Sequence, residues 1–421
     1  MTMELVIALE RDSEHCMKRP TVLAFSSWFL PGFKAGGPIR TLVNIIEQLG
    51  EDFCFKVVTR DRDLGDQAPY AGVGTDAWTT VGTTRVNYLG PGDRSLRGVR
   101  NTIRESRPDL LYLNSFFDPA LSIVPLLLRR TGLIPRKIPM LIAPRGEFAP
   151  PALSIKARRK AAFLFLARLS GLCDGVIWQA GSVQEQRDVR AVWGAEAEVV
   201  VAPDLPPRLG PCDSGAEVRV KIPGSFRAVF LSRLAPIKNL SGALELLAPV
   251  EAVVEFDIYG PSEDPAYWEK CQQIIARLPA NIRVRYLGPV ANCEVAGILA
   301  QYHLLLLPTQ GESFGHVILE ALLAGCPVLI SDQTPWQGLE ERNAGWVVPL
   351  ENPDRFREIL QSVAWMKSEE YLSWCHGARR CGAEFSNDPA LAVASRNLFL
   401  RALASTPEQN LGGKGNGSIH P

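Results

Sequence analysis

YHLLLLPTQGESFGHVILEALLAGCPVLISD, residues 302–332, decides how the rest of the chain is read. Residues 302–309 form a continuous apolar run, the pattern of a strand buried on both faces of a parallel sheet. Gly315 can open a helix, Gly325 ends it, and 326–332 starts another strand. This strand–turn–helix–strand sets Glu312 at the turn and Glu320, eight positions on, inside the helix. An open parallel sheet binds ligands at the carboxyl ends of its strands. Free amides at a helix start favour an anion there. Carboxylates beside them accept hydrogen bonds from several hydroxyls. A ligand with phosphates and many hydroxyls, such as a nucleotide sugar, satisfies both. Two glutamates on a helix can also be plain solvated surface, so the flanking segments have to contribute.

Upstream of this stretch the pattern repeats. Residues 226–234, 253–260 and 282–288 read as strands, with helices near 239–249, 265–278 and 291–301, and 345–350 adds a last strand. The first half alternates in the same way, with strands at 21–29, 53–59, 85–90, 109–115 and 139–145, and a helix at 41–50. Between the halves, 202–224 carries five prolines and three glycines, which suits an interdomain linker. The expected organisation is an extension (1–20), an N-terminal domain (21–205), a linker (206–224) and a C-terminal domain (225–385). A helix at 386–404 is expected to cross back to the first domain, and the Gly-rich 405–421 to be disordered. Two α/β halves predict a central cleft.

The chain has 421 residues, of which 46% are hydrophobic and 21% charged, a globular composition of about two domains. A net charge of +0 gives no global signal for nucleic acid. Nine cysteines without a C-x-x-C pair fit reduced cytosolic thiols rather than disulfides or zinc. Residues 1–20 do not read as a signal peptide, and no apolar run approaches the ~20 residues of a membrane span. A cytoplasmic location is therefore expected.

Two more segments carry chemistry. LSRLAPIKN (231–239) follows a strand and puts Arg233 and Lys238 just before a helix. Cations there can neutralise a diphosphate leaving group, although solvated loop cations would look the same. PGFKAGGPIR (31–40) carries Gly36 and Gly37 ahead of a helix, so that backbone amides can approach a ligand, or simply make a turn. DRD at 61–63 superficially resembles a metal-binding D-x-D but reads as a strand-end cap, and no metal or other cofactor is expected.

The Gly36-Gly37 loop, SRLAPIKN (232–239), VEFDIYG (254–260) and LLLLPTQGESFGHVILEALLAGCPVLISD (304–332) together resemble the family 4 glycosyltransferases. The resemblance covers roughly 21–400 and is strongest in the second half. It implies the GT-B fold, two Rossmann-like domains facing a cleft, and metal-independent transfer with retention of configuration. It also implies roles. Arg233 and Lys238 would hold the donor diphosphate, and Glu312, with Phe314 and Gly315 nearby, the donor sugar. Glu320 would hold the ribose, with Gly36 and Gly37 approaching from the other domain. The base would meet loop backbone near Tyr259-Gly260 and Pro289–Asn292.

One departure stands out. Many members carry an N-domain His facing the reacting sugar, but no His lies between His15 and His303, and Asn114 sits near that place. Acceptor-side candidates are Asn114, Asp118, Arg145 and Glu147. A front-face displacement lets the leaving phosphate take the proton, which lowers the need for a base. His303 is expected to be structural, and His316, inside the motif, to lie near the donor. Residues 154–171 set Lys156, Arg158, Arg159, Lys160 and Arg168 beside apolar residues, the composition either of a half-buried helix or of one resting on an anionic membrane.

The expected function is therefore transfer of a hexose-type sugar from a nucleotide diphosphate to a glycan or lipid-linked acceptor in surface or exopolysaccharide assembly. The alternatives are a GT-B nucleotide-sugar epimerase and a non-catalytic nucleotide-sugar-binding protein.

Overall fold

The computed structural model describes residues 19–208 and 220–405. The expected N-terminal extension and disordered tail lie almost wholly outside the described residues.

The first sheet contains β1 (Thr21–Phe25), β2 (Cys54–Arg60), β3 (Trp78–Val81), β4 (Thr84–Leu89), β5 (Leu110–Leu113), β6 (Met140–Ile142), β7 (Val176–Ala180) and β8 (Val199–Val201). Their spatial order is β3-β4-β2-β1-β5-β6-β7-β8, parallel except for the edge hairpin β3–β4. The second sheet contains β9 (Ser225–Leu231), β10 (Val253–Tyr259), β11 (Ile282–Gly288), β12 (Leu304–Leu307), β13 (Val328–Ser331) and β14 (Gly345–Val348). Its order, β11-β10-β9-β12-β13-β14, is all parallel, the doubly wound 3-2-1-4-5-6 arrangement. Its switch point lies between β9 and β12, where a ligand crevice belongs. The expected two-domain GT-B architecture is therefore present.

The buried apolar runs explain the layering. LLLL of β12 and VLIS of β13 are buried at every residue, which only a sheet covered on both faces allows. One apolar core surrounds the second sheet, and two others flank the first.

The helices that bear on the cleft are α1 (Gly37–Leu49), α2 (Pro150–Ser154), α3 (Ala157–Leu169), α4 (Val183–Trp193), α5 (Leu240–Leu247) and α6 (His316–Leu323). A further helix, α7 (Pro389–Ala404), returns to the first domain. It buries Leu391, Leu398, Phe399 and Ala402 in that domain's core. The Phe399 ring lies 5.4 Å from Phe53, 5.7 Å from Phe55 and 5.4 Å from Tyr112. Arg396 also reaches Asp52 and Arg401 reaches Glu198.

Two features depart from the expectations. Strands β3, β7 and β8 were not anticipated. Cys54 is disulfide-bonded, against the expectation of reduced thiols, which the other described cysteines, such as Cys173, Cys271 and Cys381, do meet. A disulfide needs only two cysteines whose Cβ atoms the fold brings together, which spacing along the chain does not show.

Candidate functional site

A cavity of about 1170 Å³ lies between the domains. Arg233, Lys238, Glu312, Phe314, Gly315 and Glu320 line it from the second domain, and Gly36, Gly37, Arg145 and Glu147 from the first.

The second-domain wall is built by short turns after strands. The chain leaves β9 and makes a 3-10 turn, Pro236–Lys238. Asn239 then sits in the left-handed region (φ 58°), where its side chain accepts from the Gly242 amide and donates to the Pro308 carbonyl (2.9 Å). Asn tolerates this conformation and caps α5 at the same time. The turn aims Lys238 at Glu312, whose Oε2 accepts from Nζ at 2.6 Å. The Glu312 amide is tied to the Gln333 carbonyl (3.0 Å). Arg233 is a third exposed and pairs with Glu263 (2.6 Å), which also lines the cavity.

Gly315 (φ 83°) starts α6, and a Cβ there would sit 2.7 Å from Ile318 Cδ1. The positive φ favours glycine, whereas the Ile318 methyl is the end of a flexible side chain that can move. No side chain caps α6, and Gly315, His316 and Val317 line the cavity, so the amides of this helix start are available to a ligand. Gly260, Pro289, Val290 and Asn292 also line the cavity, whereas Tyr259 does not and lies within reach of the Tyr302 hydroxyl.

The first-domain wall comes very close. Gly36 (φ 64°) precedes α1, and a Cβ on Gly37 would lie 3.6 Å from His316 Cδ2. The glycine loop is held by Asp63, which accepts from the Phe33 (2.8 Å) and Lys34 (3.1 Å) amides. The second acid of D-R-D is thus a loop anchor.

A polar chain crosses between the domains. Arg40 of α1 pairs with Glu320, its Nε 2.9 Å from Oε1. Burial raises the Glu320 pKa, and Arg40 opposes that rise. Thr41 Oγ1 donates to Asp204 (3.0 Å), so it accepts from His316 Nε2–H at 2.8 Å. Burial pushes the His316 pKa down to about 4, so the ring is neutral with its proton on Nε2. Asp204 also pairs with Arg145, which donates to Asn114 Oδ1 (2.8 Å) and to the Tyr112 hydroxyl.

The acceptor-side candidates divide. Arg145 and Glu147 line the cavity, while Asn114 and Asp118 are not among its lining residues. Asp118 caps the turn Pro119–Ile123 through the Ala120 and Leu121 amides, and takes Ser27 and Arg60 as partners. Burial acts to raise its pKa, but Arg60 and these hydrogen bonds bring it below the usual range. Glu147 accepts from Ser115 (2.9 Å) and from the Phe116 (2.6 Å) and Phe117 (3.2 Å) amides, with burial raising its pKa. Glu185, not singled out from sequence, lines the cavity and clasps the Gly146 (2.6 Å) and Gly181 (2.7 Å) amides. Arg40 and Asp204 were also missed. Only the place of Arg40 in the first turn after the Gly-Gly loop hinted at it. His303 lies in the second-domain core, accepting from the Arg227 amide at 2.9 Å.

The architecture and this cleft define a GT-B protein. Residues 225–364 match the family model described as Glycosyl transferases group 1. The chain thus has the GT-B fold, and its second domain carries a match to the glycosyl transferases of group 1. It is 26% identical over 190 residues to the UDP-N-acetylglucosamine–peptide N-acetylglucosaminyltransferase GtfA subunit of Streptococcus agalactiae, covering 42% of this chain and 36% of that one. It is 27% identical over 253 residues to D-inositol 3-phosphate glycosyltransferase of Streptomyces bingchenggensis, covering 56% and 54%. The matches thus span about half or less of these curated relatives. Sucrose-phosphate synthase from Thermosynechococcus elongatus superposes with a TM-score of 0.67 at 16% identity, over 92% of this chain and 100% of that one.

Proposed function

We propose that this chain is a retaining glycosyltransferase that moves a hexose-type sugar from a nucleotide diphosphate to a glycan or lipid-linked acceptor, without a metal. The observation that carries this reading is the Lys238–Glu312 contact beside an uncapped helix start, opposite the Gly36-Gly37 loop. It places a cation, a hydroxyl acceptor and backbone amides within one cavity.

In this reading Lys238 and the α6 amides stabilise charge on the departing diphosphate, which is the largest single contribution such a site can make. Arg233 joins them by swinging from Glu263. Glu312 orients the sugar hydroxyls, and Glu320 takes the ribose hydroxyls in exchange for part of its contact with Arg40. The leaving phosphate itself receives the acceptor's proton in this reading; of the first-domain carboxylates in the cavity, Glu147 and Glu185 are occupied by backbone amides and Asp204 by Arg145 and Thr41. Relatives whose names specify glycosyl transfer, one of them from UDP-N-acetylglucosamine, support the donor class. A role in surface or exopolysaccharide assembly is supported by the resemblance and by similarity to O-antigen chain mannosyltransferase B of Escherichia coli, 30% identical over 113 residues.

The test is a thermal-shift screen of UDP-, GDP- and ADP-sugars, with and without magnesium. Stabilisation by one nucleotide class, independent of magnesium and lost in Glu320→Ala, is expected. The anomeric configuration of the product, read by NMR, then tests retention. Inversion of that centre would remove the front-face mechanism.

A further inference from the structure

Across the cleft, Arg40 of α1 meets Glu320 of α6 in a way that differs from the forked ion pairs of this chain. Arg285 forks onto Asp257, with Nε on Oδ1 and Nη2 on Oδ2, both at 2.7 Å. Arg62 forks onto Asp61 in the same manner, both at 2.9 Å. Two parallel bonds to two oxygens are the strongest arrangement open to such a pair. Arg40 instead brings Nε (2.9 Å) and Nη2 to the single oxygen Oε1. Glu320 Oε2 has no hydrogen bond among the described residues, and 12% of the side chain stays accessible on the cavity wall. The pair uses one half of the carboxylate and leaves the other half to the cavity. A hydroxyl can therefore bind Glu320 before the guanidinium yields any contact.

Glu320 has no cation of its own domain beside it. Lys238 is taken by Glu312 and Arg233 by Glu263. His316, one turn earlier on α6, is neutral and donates to Thr41. Two other helices pack on α6. From Ser368–Ser386, Arg379 lies against Gly325, beyond the far end of α6. From Asn292–Leu299, Glu294 turns back to the Ala291 amide (3.3 Å). Burial raises the Glu320 pKa, and the charge that opposes this is Arg40. A buried carboxylate left without a cation takes a proton rather than stay charged.

The second domain thus carries an acid whose charge the first domain supports. The walls come close on either side of the pair. Thr41 Oγ1 lies 2.8 Å from His316 Nε2, and a Cβ on Gly146 would lie 3.4 Å from Ser313 Cβ. Arg40 reaches Glu320 because the two domains meet here.

We infer that Arg40 is a positioning residue for the donor: from the first domain it holds the Glu320 carboxylate charged, with one oxygen open, so that the ribose hydroxyls are read in full only when the two walls have met. The inference rests on the functional reading above, which gives the ribose to Glu320.

The test is calorimetric titration of the full chain with UDP, GDP and ADP, and with the 2′,3′-dideoxy form of each. For the nucleotide that binds best, the readout is its affinity relative to its dideoxy form. In the parent this ratio is expected to be about tenfold or more, because hydrogen bonds to an anionic acceptor are lost with the hydroxyls. Glu320→Gln and Arg40→Gln are each expected to lower it to about threefold or less. Arg40→Lys is expected to restore part of it, since an ammonium still meets the carboxylate without the planar fork. In Arg40→Gln the ratio is expected to climb between pH ~6 and pH ~8 more steeply than in the parent, as the carboxylate sheds its proton. The double variant Arg40→Gln with Glu320→Gln leaves no buried charge unpaired, and is expected to match Glu320→Gln alone.

A parent-like ratio in Arg40→Gln, with the ratio lost in Glu320→Gln, overturns this inference and leaves the functional reading standing. So does a double variant that binds the full nucleotide clearly more weakly than Glu320→Gln, since Arg40 would then touch the donor itself. A parent that binds none of the nucleotides, or does not distinguish them from their dideoxy forms, overturns the assignment of Glu320 and this inference with it.

Discussion

The two walls of the cleft use their carboxylates differently. On the second-domain wall, Glu312 faces Lys238 and Glu320 faces Arg40, side chains that a ligand can replace. On the first-domain wall, Glu147 and Glu185 accept from backbone amides that have no substitute partner, and Asp204, alone among the three, is held only by side chains, among them Arg145 and Thr41. A carboxylate near a strand end is therefore chemistry or architecture according to its donor. An ammonium or guanidinium can yield to a substrate, whereas a buried amide cannot be released without cost.

Substitutions on each wall can break this contrast. The largest effect is expected for Lys238→Ala, with turnover falling about a hundredfold or more while the melting temperature stays close to the parent. Parent-like rates in steady-state assays would remove Lys238 from the donor site. Next is acid sensitivity at the domain interface. His316 titrates at about 4 when folded, below its ordinary value, so the unfolded chain binds more protons across the window between. Stability from the neutral ring is complete above pH ~6.5 and is lost as pH falls toward 4, by at most about 3 kcal/mol. His316→Asn is expected to lack that component when pH-dependent denaturant melts of the two proteins are subtracted. Identical slopes would mean that the ring meets solvent.

Glu147→Gln is expected to act on stability, by about 1–3 kcal/mol, because an amide has a single acceptor oxygen for Ser115 and two backbone amides. If kcat instead collapsed in a protein with unchanged melting, the first-domain wall would be doing chemistry and the contrast would fail. The smallest effect is expected for Arg396→Ala, whose half-exposed pair with Asp52 contributes no more than about 1 kcal/mol. A shift of several degrees in calorimetry would show that this contact does more than an ordinary surface pair.

The legibility of the sequence follows the same line. The second sheet was readable because its strands are apolar runs punctuated by glycine, and because 302–332 sets its motif in one local strand–turn–helix–strand. The short β8, VVV, and the five-residue β7, VIWQA, offered too little periodicity to separate from helix or loop. Arg233, Lys238, Glu312 and Glu320 came from local spacing, and the cavity brings them to one wall. The chain Arg145–Asp204–Thr41–His316 joins positions far apart, and no local pattern encodes such pairings. Asp118 and Glu147 were legible as acids near strand ends, while their amide partners depend on how loops fold back.

Helix α7 gives the chain an unusual order of completion. The first domain's core lacks Phe399 until the last described helix arrives, so the domain that emerges first from synthesis is the one finished last. Removing residues after 388 should therefore damage the N-terminal half more than the C-terminal half beside it. The second sheet, whose own core contains no α7 residue, has what it needs to assemble while its neighbour still waits for its final helix.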